Sequence, residues 1–180
     1  MESLSKNISI ARLKTISMVL VAAVFFPFFV HLIPPQNGIP IGAFLLPMFY
    51  IPFIALFAYN WKVALPIAFL APILNFLITG NPNWEFLTVL TLELILFTGI
   101  AYLLLNGNWS KWVAAPLGYL GAKIISSLLL NFIPMVSSVP WDFFLSSITR
   151  ALPGIGVLLL INFLLLMFLN KDKESEYSPN

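Results

Sequence analysis

Glu93, Lys123 and Arg150 stand inside apolar segments of a chain that otherwise keeps charge out of its hydrophobic stretches. A charged side chain in a bilayer interior costs roughly 3 kcal/mol on insertion scales and more on others. Three such residues must either neutralise one another or hold something. Lys and Arg suit a carboxylate or phosphate, while Glu93 can take an amine or a ring nitrogen. One carboxylate cannot neutralise two cations, so the set leaves a surplus positive charge for an anionic or zwitterionic small molecule.

The rest of the composition narrows the chemistry. There is no Cys and a single His, His31, so thiolate sites, disulfides and histidine-built metal clusters are not expected. No nucleophile–base pair and no paired carboxylates occur among the apolar stretches. The chain is read as a non-enzyme without a cofactor. Its net charge of +2 comes from scattered residues that mostly flank apolar segments, which is not a nucleic-acid footprint.

These side chains need elements to carry them. The chain has 180 residues, 60% of them hydrophobic and only 9% charged, with a mean hydropathy of +0.97. Soluble domains carry about a quarter charged residues, so this is an integral membrane sequence. Six apolar segments approach the length needed to cross a core of roughly 30 Å: Ile16–Ile33, Ile41–Tyr59, Val63–Ile78, Phe86–Leu105, Trp112–Ile133 and Phe143–Leu169. None alternates as a barrel strand would, so helices are the spanning structure expected. The fold class is an all-α membrane protein, with one six-helix domain over residues 1–170 and a disordered cytoplasmic tail over 171–180. Lys6, Arg12 and Lys14 precede the first apolar run as in a signal peptide. That run continues to Ile33 without a small-residue cleavage site, and is read as an uncleaved span.

The charges then orient the bundle. With the N-terminus inside, the cytoplasmic segments hold Lys6, Arg12, Lys14, Lys62, Lys111, Lys171 and Lys173, and the external connectors hold only Glu85 and Asp142. That is a strong positive-inside bias, and it puts both termini in the cytoplasm. At about 1.5 Å per residue, Glu93 lies about 12 Å below the external surface, Lys123 about 16 Å and Arg150 about 13 Å. Three helices deliver their charges to one layer.

Neighbouring residues add polar capacity to that layer. Tyr119, Lys123, Ser126, Ser127 and Asn131 share a broad face of the fifth span by the i+3/i+4 rule. Asn75 and Thr79 lie near the external end of the third, and Trp84 and Trp141 stand at two external loops as anchors or a lid. The candidate ligand-binding set is therefore Glu93, Lys123, Arg150, Asn75, Thr79, Tyr119, Ser127, Asn131 and Trp84. Two further features are structural. Pro47, Pro52, Pro66 and Pro72 are expected to kink the second and third spans, and Ala114, Gly118, Ala122 and Ser126 form a small-residue face for a close helix neighbour. Asn162, in the cytoplasmic half of the last span, is expected to bond between helices. The competing outcome for the charges is a closed network, in which Glu93 neutralises Lys123 or Arg150 and locks the bundle.

The stretch 45–82 carries a family resemblance. It reads Leu-Leu-Pro-Met-Phe-Tyr at 45–50, Asn-Trp-Lys-Val-Ala at 60–64 and Leu-Ala-Pro-Ile-Leu-Asn-Phe-Leu-Ile-Thr-Gly-Asn-Pro at 70–82. This resembles the substrate-binding (S) component of energy-coupling factor transporters, small six-helix proteins that capture vitamins and related micronutrients. The resemblance implies a multi-pass protein of a bacterial cell membrane, with a ligand pocket open to the outside and roofed here by Ile33–Gly42. It also implies docking onto a shared transmembrane subunit with two ATPases, the chain itself hydrolysing nothing. In keeping with that, no phosphate-binding loop of the G-x-x-x-x-G-K-[ST] type is present. The family's docking face is an Ala-x-x-x-Ala repeat low in the first helix. Here the first helix offers only Ala22-Ala23, and Ala64-x-x-x-Ala68 on the third span is the candidate replacement. A different class remains open: a scaffold subunit resembling the rod-shape-determining membrane protein of the cell-wall machinery, which needs no polar layer.

Overall fold

The computed structural model describes residues 2–34, 40–80, 83–132 and 140–175. Their elements are α1 (Glu2–His31), α2 (Gly42–Leu45), α3 (Pro47–Ala58), α4 (Trp61–Thr79), α5 (Trp84–Leu105), a 3₁₀ turn (Ser110–Val113), α6 (Ala114–Phe132) and α7 (Pro140–Ser175). Among the described residues there is no strand. Five helices are long and apolar enough to cross a bilayer, and Gly42–Ala58 is a shorter apolar segment. Their outward faces carry exposed large apolar side chains such as Phe29, Leu77, Leu103 and Leu160, the pattern expected where lipid replaces water as solvent. α1 begins at Glu2, so Lys6, Arg12 and Lys14 ride on the helix rather than precede it. α7 stays helical to Ser175, past the boundary drawn at 170, and residues 176–180 lie outside the described residues.

Local sequence sets the ends. Asn60 and Asn83 cap α4 and α5 by accepting the backbone N–H of Lys62 and Phe86 at 2.9 and 3.1 Å, which satisfies donors that a helix start leaves unpaired. α4 stops at Gly80, whose φ of 70° is the left-handed conformation glycine adopts without penalty.

The segment between α2 and α3 departs from the kink expected at Pro47. The chain breaks outright one residue earlier. Leu46 takes φ 56° and ψ 41°, and no other non-glycine residue among those described has positive φ. Proline explains the position of the break, because it has no N–H to continue α2 and it disfavours the right-handed helical conformation in the residue before it. A left-handed leucine costs about 1–2 kcal/mol, so neighbours must hold it. The Leu46 N–H closes α2 on the Gly42 carbonyl at 3.1 Å, and the Phe49 N–H opens α3 on the Leu46 carbonyl at 3.0 Å. The Leu45 carbonyl, which Phe49 would have used in an unbroken helix, accepts the Tyr50 hydroxyl. From the other side α7 presses Gly154 onto the break. A methyl group there would sit 2.7 Å from the Phe44 carbonyl oxygen and 2.8 Å from the Leu45 carbonyl carbon.

α3 is the central helix, touching α1, α4, α5 and α7. Its Phe49 and Phe53 pack edge-on or tilted against Phe97 of α5, and Phe49 also meets Tyr119 of α6 at 5.1 Å. The small-residue face of α6 works as expected: Ala114, Gly118, Ala122 and Ser126 are buried, with Ala101 and Phe97 of α5 so close to Gly118 that a Cβ would meet them at 3.3–3.4 Å. Ala64 and Ala68 are fully buried in the core. They therefore offer no surface for docking, because α1, α3 and α5 already cover α4.

Asn162 of α7 makes the inter-helix bond expected of it, and makes it three ways. Its carbonyl oxygen accepts the Ala115 N–H at 3.0 Å, and its amide donates to the Lys111 and Trp112 carbonyls at 2.9 and 3.0 Å. A buried amide is tolerated only when so satisfied. Asn162→Leu keeps the branching at Cγ but orphans the Ala115 donor, and should cost roughly 1–2 kcal/mol or more, read as a lower melting temperature in detergent.

Candidate functional site

The end of α4, the middle of α6 and the starts of α2, α3, α5 and α7 surround a cavity of about 810 Å³. Glu93, Lys123 and Arg150 all line it, one from each of α5, α6 and α7. The layer inferred from depth is thus a real convergence. The wall around the charges is mostly apolar, with Leu46, Met48, Phe49, Phe86, Val89 and Phe143. The break before Pro47 makes that wall possible: it turns α2 aside and lets Leu46–Phe49 face the space above the core.

Two of the charges are spent on each other. The Lys123 ammonium lies 2.8 Å from both carboxylate oxygens of Glu93, and the Ser126 hydroxyl donates to Glu93 Oε1 at 3.0 Å. The ammonium also lies 5.3 Å from the Phe143 ring centre and 5.9 Å from that of Tyr119, within cation–π range. Glu93 and Lys123 are buried to 2% and 7% exposure. A charge pair this dry holds because attraction, hydrogen bond and ring faces together replace the lost water.

Arg150 behaves differently. It is exposed, lines the cavity, and has no ion-pair or hydrogen-bond partner among the described residues. The surplus positive charge expected from three residues does not survive, because Asp142 also lines the cavity. With Glu93, Lys123, Asp142 and Arg150 counted together, the lining carries no net charge.

Of the other expected contacts, Asn75 and Tyr119 line the cavity. Thr79, Ser127, Asn131 and Trp84 are not among its lining residues. Thr79 turns back to the Asn75 carbonyl at 2.7 Å. Asn131 is exposed, and its amide bonds the Ser127 carbonyl at 2.9 Å. Trp84 is exposed beside the Phe76 ring, with centroids 4.7 Å apart. The Ser127 hydroxyl is buried without a hydrogen-bond partner among the described residues. Of the expected roof, Pro40 and Gly42 reach the cavity, and 35–39 lie outside the described residues.

Sequence reasoning missed Asp142, Ser146 and Ser147. They lie with Phe143 and Arg150 on one stripe of α7, and all five line the cavity. The signal is the i, i+4, i+8 spacing of Asp142, Ser146 and Arg150, hidden because Asp142 also reads as a connector residue. No protein-family model, no curated protein and no solved structure matches the chain.

Proposed function

We propose that this protein is the membrane-embedded capture subunit of an uptake system, a six-span bundle with cytoplasmic termini that takes a small polar molecule from the external side. The observation that carries the reading is the convergence of intramembrane charge on one aromatic-walled cavity. Pockets that hold small ligands are mostly apolar with a few convergent polar groups, and intramembrane ionisable residues mark such sites. The direction of opening follows from charge bias. The cavity lies where α4 ends and α5 and α7 begin, and the sequence stretches 34–41, 80–83 and 133–139 carry no Lys or Arg, while Lys62 and Lys111 lie at the start of α4 and after the end of α5. A helix broken at the cavity wall is also a recurrent element of transporter binding sites. The resemblance of 45–82 to the S components adds an energy source, a separate ATP-driven module on which this subunit would dock.

The Glu93–Lys123 pair by itself favours the scaffold alternative, since a closed ion pair can simply lock α5 to α6. Arg150 and Asp142 argue the other way, as a scaffold has no use for two cavity-lining charges left without partners among the described residues. Native mass spectrometry of the purified protein should find a retained small molecule. Ser147→Trp, which puts an indole into the cavity from α7, should weaken its retention while leaving the melting temperature near that of wild type. A wild-type protein that is empty, and that no member of a broad metabolite panel stabilises, would remove the capture reading.

A further inference from the structure

Resting on the capture reading, we infer that the captured molecule is dipolar, and that Arg150 and Asp142, not the buried Lys123–Glu93 pair, read its two poles. The buried pair has little left to give. Lys123 and Glu93 neutralise each other, Ser126 occupies Glu93, and the faces of Phe143 and Tyr119 flank the ammonium. A ligand group inserted there would have to break a desolvated ion pair, and would leave one of its members bare.

Arg150 and Asp142 are the opposite case. Among the described residues neither has an ion-pair or hydrogen-bond partner, both are exposed, and both line the same cavity. None of the described residues takes up the guanidinium's five donors or the carboxylate's acceptor sites. Both belong to the continuous helix α7. Eight residues separate them, about 12 Å along the axis, too far for direct contact. Phe143, Ser146 and Ser147 lie on the stripe between them, with Phe86 and Phe49 on the facing walls.

The cavity therefore presents a negative end, an aromatic-lined middle with two hydroxyl-bearing residues, and a positive end. A molecule with an anionic group and a protonated amine or ring nitrogen, its poles on the order of 6–10 Å apart across a flat apolar body, meets both ends at once. A plain anion would satisfy Arg150 but face Asp142 unscreened, and a plain cation the reverse. Specificity thus comes from repulsion of single-charge analogues as much as from attraction of the dipole.

The test uses para-(aminoalkyl)benzoates of graded chain length, each compared with its methyl ester and its N-acetyl derivative. They are titrated by calorimetry onto the full-length protein in lipid nanodiscs. At the best chain length the zwitterion should bind about tenfold or more tighter than either blocked form. Asp142→Asn should erase its advantage over the N-acetyl form, and Arg150→Gln its advantage over the ester. Both positions are exposed and have no partner among the described residues, so the melting temperatures of the variants should stay at the wild-type value. A preference that survives Asp142→Asn, an N-acetyl form that binds as tightly as the zwitterion, or silence of the whole series overturns the dipolar assignment. None of these outcomes touches the capture reading, which is decided separately by the molecule retained in native mass spectrometry.

Discussion

Lys123→Met should be among the most destabilising single substitutions in the bundle, lowering stability by about 3–5 kcal/mol. The replacement matches the apolar stem in length, so little packing is lost. What changes is the fate of Glu93. It keeps its Ser126 hydrogen bond but loses the ammonium at 2.8 Å. A carboxylate at 2% exposure is then left in a dry setting without its counter-charge. The double variant Glu93→Gln/Lys123→Met should recover most of the loss, because both charges leave together and Ser126 keeps a partner. Thermal or denaturant unfolding in detergent gives the cycle directly. If the single variant were as stable as wild type, the pair would be wetter than its geometry indicates. A double variant no better than the single would mean that the lysine stem, not its charge, holds the bundle.

Gly154→Ala tests the other critical contact. In most helices this change helps by roughly 0.5–1 kcal/mol, since glycine is the more flexible residue when unfolded. Here the methyl would lie 2.7 Å from the Phe44 carbonyl oxygen and from Leu46 Cγ, and 2.8 Å from the Leu45 carbonyl carbon. Two of those three atoms are backbone, which cannot swing aside. Overpacking of that kind costs typically 1–3 kcal/mol, so the propensity gain is outweighed. The bulkier Gly154→Val should push α7 off α2, carrying Arg150 and Asp142 away from the cavity on the same rigid helix. As a control, Gly156→Ala has nothing within 4 Å of its new methyl and should be neutral or slightly stabilising. Equal effects at 154 and 156 would show that the break does not depend on this contact.

What the sequence disclosed depended on how local the cause was. Charges in apolar runs are conspicuous in one dimension, and a rise of about 1.5 Å per residue converts position into depth. That is why the sequence alone brings Glu93, Lys123 and Arg150 to one layer. Depth does not give azimuth. Ser126 and Ser127 are neighbours in the chain, yet about 100° of helix rotation sends the first to Glu93 and leaves the second without a partner among the described residues. Thr79 and Asn131 were misplaced for the same reason, each turning back onto its own helix. Asp142 escaped because an acidic residue at the start of a helix also reads as a connector residue or a partner of the helix dipole. Pro47 announced a disturbance of the second span, but whether proline kinks or breaks a helix is decided by what braces it. The braces are Tyr50, five residues beyond Leu45, and Gly154, more than a hundred residues away. Only the first could have been guessed locally.

The reach of Asn162 also bears on how the chain is made. Synthesis runs from α1 towards α7, so the Ala115 N–H and the Lys111 and Trp112 carbonyls exist long before the side chain that serves them. Until residue 162 has been translated, those backbone groups must stay near the aqueous boundary or find a temporary partner, since exposing them to hydrocarbon is costly. Final seating of the α6 N-terminus therefore waits for the last helix.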